Sequence, residues 1–514
     1  MTIADLRRTP APARPPGAGR DTGIDLVRAL CVIGVVVIHA LMVGITIDST
    51  GPVFANASEG SAWIVPLSWL LQVMPLFFVI GGFAGRTAYL RMTDQGRSAT
   101  DFVSARIHRL LLPALYAIAA VGVLLAMLLT SGVPEELVGV AGYRFSQPLW
   151  FLGVFLICQV LLPALVAAHE RAPWTTIGLL ALGAVAVDAA RILSGVDAIG
   201  FVNLALVWLT LQQLGFFLAD GSVTALSRRA RAMLAVAAVA ALAGTFVLGI
   251  HSPDLIANIN PPTTALLLVG VAHTMLVSLL QAPLNRWSRS PLGVRLRAFI
   301  TPRAMTIYLW HMPVLLAMAG LSAAFAMLTG LALPAPGGLA WWATRPLWLA
   351  VVFAGVVALA RAAAGLEARR PPAPTASHTR LTAATVIGGG GVVLLLAVGT
   401  SPFTAGVAVL SMVAAIRLAS TRRGDAVAMS VAGQSGSAPW PSRRPGTTDT
   451  STRAIANANT TGNEEDPPPS VATARPARAT ETAEPVASEI ESAEELNPAF
   501  PDVEYASVST VSRG

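Results

Sequence analysis

IDLVRALCVIGVVVIHA, residues 24–40, decides how the chain is read. Leucine, valine, isoleucine and alanine dominate it, and about 20 such residues cross a bilayer as a helix. Yet it carries Asp25, Arg28 and His39. On a helix that advances about 100° per residue, Arg28 and His39 point within about 20° of each other, and Asp25 within about 40° of His39. The three polar groups therefore share one stripe, with Arg28 and His39 about 16 Å apart along the axis. A central ionisable group costs about 2.5–3.5 kcal/mol on insertion scales, and such groups face a bundle interior or a watery cavity. The stripe thus predicts a cavity with Arg28 near its cytoplasmic mouth and His39 past mid-membrane. The plainer alternative is an interfacial Asp–Arg pair and a histidine satisfied by a carbonyl. A neutral histidine in a cavity is a general-base candidate, because imidazole exchanges protons near working pH.

The rest of the chain supports a membrane setting. Of 514 residues, 54% are hydrophobic and 12% charged, and mean hydropathy is +0.64. Soluble domains carry about 25% charged residues. Apolar runs long enough to span occur near 24–47, 61–84, 110–130, 148–168, 175–193, 200–219, 231–250, 262–281, 304–330 and 342–364. The expected fold is all-α, a polytopic transmembrane helix bundle with a ten-helix core over 24–364. A linker, 365–380, leads to two further apolar runs over 381–420, expected as an extra transmembrane hairpin. Four consecutive glycines, 388–391, weaken the first of those runs as a helix.

Loop charge orients the bundle. The formal net charge is +7, and the basic residues are arginines throughout. They crowd the N-terminal arm and the loops near 85–109, 228–231 and 286–303, whereas 48–60 and 251–261 have none. Positive residues collect on the cytoplasmic side of short loops, so both termini are expected in the cytoplasm and the protein in the cell membrane. This placement explains the basic charge without nucleic acid. Residues 1–23, rich in proline and arginine and without a signal-peptide cleavage pattern, are expected as a disordered cytoplasmic arm. Residues 421–514, rich in Ser, Thr, Pro, Ala and Glu, are expected as a disordered cytoplasmic tail. The two cysteines, Cys31 and Cys158, lie in apolar runs, which argues against a disulfide framework or a thiolate zinc site. No metal or bound cofactor is expected, and nothing in the sequence sets the oligomeric state.

Further polar or breaking residues punctuate the spans. PLFFVIGGFAGR, 75–86, reads either as a broken helix lining a cavity or as close packing through Gly81 and Gly82. SARIHRLLLP, 104–113, sets Arg106 and Arg109 on one face at the cytoplasmic entrance of the third span. Arginine's planar fork suits phosphate, though positive-inside topology alone explains one such cluster. Trp150 reads as an interfacial belt residue or a platform for a sugar or acyl chain. Asn258, before two prolines, reads as a hydroxyl-binding amide at a cavity mouth or as part of a helix-entry turn. Tyr308 and His311, three apart, share a face of the ninth span. His273 lacks a polar neighbour at helical spacing and is expected as a satisfied core residue.

In order, these elements resemble the acyltransferase-3 family of integral-membrane acyltransferases. Arg28 and His39 match its Arg and His in the first span. Phe77, Phe78, Gly82 and Phe83 match its second-span element, with Gly81 standing where the family has serine. Arg106, Arg109, Leu110 and Pro113 match its basic element, Trp150, Phe151 and Leu152 its fourth-span element, and Tyr308, Leu309, His311 and Pro313 its late-span element. The resemblance implies transfer of an acyl group, commonly acetyl, from acyl-CoA such as acetyl-CoA to a hydroxyl of an envelope glycan, a glycolipid or a secreted metabolite. It places His39 as the catalytic residue, taking the acceptor proton or itself being acylated. Arg28, Asp25, Arg106, Arg109, Trp150, Tyr308 and His311 would bind donor or acceptor. Donor, acceptor and membrane lipids are then the partners. A polytopic transporter or flippase for an envelope precursor is the competing reading, since polar stripes and broken helices serve transport equally. A scaffold recruiting partners through its acidic tail is a third.

Overall fold

The computed structural model describes residues 21–49, 51–367 and 372–421. Most of the expected N-terminal arm, and the expected tail from residue 422 on, lie outside the described residues. In chain order the elements are α1 (Thr22–Met42), β1 (Val43–Asp48), β2 (Gly51–Asn56), α2 (Ile64–Leu71), α3 (Met74–Asp94), α4 (Ala99–Thr130), α5 (Glu135–Ser146) and α6 (Trp150–Arg171). There follow α7 (Pro173–Ser194), α8 (Asn203–Ala219), α9 (Ser222–Ala225), α10 (Arg228–Val247), α11 (Ala265–Ser288) and α12 (Pro291–Ile300). The last are α13 (Ala304–Thr329), α14 (Leu339–Glu367), α15 (His378–Val398) and α16 (Pro402–Leu418). Among the described residues, 11 helical segments are long and apolar enough to cross a membrane, and Pro402–Leu418 is a shorter apolar helix. Ten of them fall on the ten expected spans, and α15 and α16 fall on the expected hairpin. The protein is a multi-pass membrane protein built as a helical bundle.

α1 is the most enclosed span: 83% of its apolar window is buried, against 11% for α7 and for α10. It packs against α3, α11, α13 and α14. Lipid is as apolar as leucine, so helices in a membrane associate through close packing and polar contacts rather than by escaping solvent. A helix enclosed on all sides can hide a polar stripe from lipid, and α1 does so. Asp21 caps it, its carboxylate accepting from the Gly23 and Ile24 amides at 3.0 and 3.3 Å, so two of the amides left over at the helix start are satisfied.

The structure corrects the sequence reading of the first span, decides an element left open in the second, and strengthens α15. The first span does not run helical to residue 47. It stops at Met42, and the β-branched stretch after it pairs antiparallel with Gly51–Asn56, from Val43 opposite Asn56 to Asp48 opposite Gly51. Gly51 sits at φ +130°, and its amide donates to the Asp48 carboxylate at 3.1 Å. This turn chemistry ends the helix in a hairpin.

The second span breaks at Gln72 and Val73, ahead of Pro75, which lies in the first turn of α3. Gly81 and Gly82 stay helical. A Cβ on Gly82 would collide with the Gln212 carbonyl of α8. The break and the glycine contact therefore both exist, at different residues.

Helix α15 runs unbroken through its four glycines. Gly388 faces Leu111 and Ala415, and Gly391 faces Ser411 and Ala408. Close approach to α4 and α16 outweighs the poor helix propensity of glycine, which is about 1 kcal/mol per residue.

Candidate active site

The stripe on α1 is a pair of separate polar stations. At the N-terminal end, Arg28 Nη1 donates to Asp25 Oδ1 at 3.3 Å, one turn apart. Both are buried, at 2% and 4% exposure. Arg28 Nε is buried with no hydrogen-bond partner among the described residues. A charge in a bundle interior is tolerable only beside an opposite charge, and the spacing of three along a helix supplies one without help from another element.

At the other end, His39 Nδ1 lies 2.8 Å from the Val35 carbonyl one turn back. A carbonyl only accepts, so the proton of the neutral ring sits on Nδ1, and Nε2 is the basic nitrogen. The ring meets that of His311 edge to face, with centroids 5.3 Å apart. His311, on α13, is fully buried. Its Nδ1 donates to the Tyr308 carbonyl, and its Nε2 is buried without a hydrogen-bond partner among the described residues. The Tyr308 hydroxyl donates in turn to the Pro148 carbonyl just before α6. The Tyr308 ring lies 5.7 Å from Phe151 and 5.8 Å from His311. Residues from α1, α13 and α6 thus form one continuous wall. Trp150, beside Phe151, is 4% exposed. It points into the bundle and does not form a belt at the lipid surface.

His39 opens onto a small cavity of about 10 Å³, room for about one water. Ile38 and Met42 of α1, Gln72 at the helix break, and Ile256 and Ile259 of the loop after α10 line it with His39. The break has a structural consequence here. Freed from helical register, Gln72 donates its side-chain amide to the Leu255 carbonyl at 2.9 Å, while the Ser68 hydroxyl accepts from the Leu255 amide at 3.0 Å. These bonds hold the loop over His39. Asn258, read as either a hydroxyl-binding amide or part of a helix-entry turn, is used up within the loop. Its Nδ2 donates to the Ser252 and Asp254 carbonyls at 2.8 and 2.9 Å, and its Oδ1 accepts from Thr263 at 3.2 Å.

Arg106 and Arg109 lie on α4. Arg106 is 4% exposed, with its guanidinium 4.4 Å over the Phe102 ring. Arg109 is half-buried, which leaves it the better placed of the two to meet a soluble ligand. His273 departs from its expected role: it is half-buried, and its Nδ1 has no hydrogen-bond partner among the described residues.

Two further polar networks were not legible as patterns. Asp188 on α7 accepts from the Thr264 amide and hydroxyl at 2.7 and 2.8 Å and from Asn203 at 3.1 Å, with His251 3.5 Å away. His169 contacts Gln213 and Asp220, each at 3.0 Å. Burial raises the Asp220 carboxyl, but hydrogen bonds from His169 and Ser222 outweigh it and hold its pKa below the usual value. In both networks the partners are 15 or more residues apart in the chain. Only the intramembrane aspartate and histidine themselves could have been flagged, as unusual residues in apolar runs.

A buried tautomer-fixed histidine at a small cavity, with a second histidine behind it, is suited to moving a proton to and from a reacting group. A family model described as an acyltransferase domain matches residues 21–363. That is close to the stretch covered by the ordered motifs, and it leaves out α15 and α16. No curated protein and no solved structure matches the chain.

Proposed function

Since the chain belongs to the acyltransferase-3 family and is a membrane acyltransferase, we propose that it moves an acyl group from acyl-CoA to a hydroxyl of an envelope glycan, a glycolipid or a secreted metabolite, with His39 as general base. The observation that carries this reading is the tautomer at His39. Donation from Nδ1 to the Val35 carbonyl directs the basic Nε2 away from the helix backbone, and the ring lines the cavity.

In the proposed reaction Nε2 accepts the acceptor hydroxyl's proton as its oxygen bonds to the thioester carbonyl carbon. The carbon–sulfur bond breaks as the tetrahedral centre collapses. The proton passes from His39 to the leaving thiolate, so products are the ester and the free thiol of CoA. The small, apolar cavity limits water and so limits thioester hydrolysis. Donor phosphates would engage the arginine-rich end, Arg109 first and Arg106 behind it, with Arg28 held in place by Asp25. The positive-inside pattern supports a cytoplasmic donor and an acceptor site on the opposite side, at the end of α1 that bears His39. Tyr308 and Phe151 back the histidines, and Trp150, buried beside Phe151, would line the acceptor side.

Comparative mass spectrometry of glycans, lipids and secreted metabolites tests the proposal, in cells with the intact gene, without it, and with His39→Ala. One acylated species should vanish in the last two strains. An unchanged acylation profile in the variant, with the protein inserted normally, would refute His39 as the base. Retention of product when acyl-CoA is withheld from membranes would refute the donor.

A further inference from the structure

Arginines crowd one end of the bundle, and at the His39 end they are scarce. Those found there are mostly accounted for. Arg191 pairs with Asp197 at 3.6 Å, and Arg144 reaches Gln147 at 3.5 Å. Arg345, on the second turn of α14, is different. Among the described residues it has no hydrogen bond and no carboxylate partner, and its Nε is buried and unpaired. Aromatic rings hold it instead. Its guanidinium carbon lies 4.4 Å from the centre of the Trp341 ring and 4.8 Å from that of Trp348.

These rings are anchored beside the candidate active site. Trp348 donates its indole N–H to the carbonyl of Ala40, the residue after His39, at 3.0 Å. Trp341 packs 4.7 Å from Trp342 and 5.8 Å from Trp63. Trp63 also packs against the cluster of Ile38, Met42 and Ile64, of which Ile38 and Met42 line the His39 cavity. The Trp63 Nε1 is itself buried without a partner. The tryptophan cluster is therefore continuous with the cavity wall.

Indole faces attract a guanidinium but offer it no acceptor lone pairs in its plane. Both rings sit on the same helix, four residues before Arg345 and three after it, and their contact leaves the N–H fork unspent. Topology does not explain the residue, because the positive-inside tendency disfavours arginine at this end. An immobilised fork without a carboxylate matches the two-point geometry with which arginine binds a phosphate.

We infer that Arg345, clasped by Trp341 and Trp348, is a phosphate-binding site that takes the phosphate of a phosphorylated acceptor, whose hydroxyl-bearing part lies along Trp63 toward His39. The acceptor assignment rests on the acyltransferase reading, whereas the anion site rests on its own contacts.

The test uses the full chain in phosphatidylcholine nanodiscs, treated with the arginine reagent phenylglyoxal. Modification of Arg345 is followed by peptide mass spectrometry. Glucose 1-phosphate is the probe, glucose the neutral control, and nanodiscs containing phosphatidylglycerol supply an anionic lipid phosphate in place of the zwitterionic one. Glucose 1-phosphate at ten times its dissociation constant should slow modification of Arg345 about tenfold, with glucose inert and Arg144 unaffected. No protection by glucose 1-phosphate overturns the proposal. Protection by phosphatidylglycerol alone also overturns it, because the site would then hold a lipid headgroup. The readout is binding, so its failure leaves the transferase reading standing. Loss of acylation in the His39→Ala strain likewise says nothing about this site.

Discussion

The two ends of α1 solve the same problem in opposite ways. At one end Asp25 and Arg28 are buried as a charge pair, 3.3 Å apart. At the other, His39 and His311 are buried side by side with their Nδ1 protons given to carbonyls of their own helices. The first arrangement is static, since each charge requires the other. The second leaves a basic nitrogen whose protonation can change during a reaction. Under the proposed function, polarity at the first end holds Arg28 in place, and polarity at the second exchanges a proton.

Substitutions along α1 can break this contrast. The largest effect is expected from His39→Ala: acyl transfer should fall about 10²–10⁴-fold, the range of a lost general base, with little change in the unfolding midpoint in detergent. A large loss of stability with activity per folded molecule retained would make His39 a packing residue, and the two ends alike. Asp25→Ala should act chiefly on stability. Leaving Arg28 buried without that carboxylate should cost about 3–5 kcal/mol, read by reversible unfolding in mixed micelles. Adding Arg28→Ala should recover part of the loss. If the double variant is as unstable as the sum of the singles, the pair is not the unit described here.

Smaller effects sharpen the picture. Trp348→Phe removes the indole bond to the Ala40 carbonyl and should cost about 1 kcal/mol in the same unfolding assay. It should also disturb activity through the position of the neighbouring His39, whereas a loss of equal size at the other end should not. Asp21→Gly removes the cap of α1 and the bond that Asp21 accepts from Gln281 at 2.9 Å, and should cost about 0.5–1 kcal/mol, with acyl transfer unaltered. A marked drop in transfer there would show that the charged end is coupled to the histidine end after all.

Much of the architecture was legible because transmembrane helices declare themselves through length and apolarity. The ten core spans, the hairpin α15–α16 and the shared stripe on α1 all follow from local pattern. Local pattern misjudged Val43–Asp48, where a hairpin turn at Gly51 competes with helix, and understated α15, where packing against α4 and α16 rescues its glycines. It left PLFFVIGGFAGR undecided, since a break and a packing contact call for the same residue types.

The candidate site divides along the same line. Helical periodicity by itself set Asp25, Arg28 and His39 on one face and Tyr308 with His311 on another, because those relations lie within a single helix. That His311 stands behind His39, that Trp150 turns inward, and that Asn258 is consumed by its own loop were decided by tertiary structure. These are contacts between elements hundreds of residues apart or within irregular loops. A sequence periodicity fixes which face a side chain occupies, but only the packing of helices fixes what that face meets.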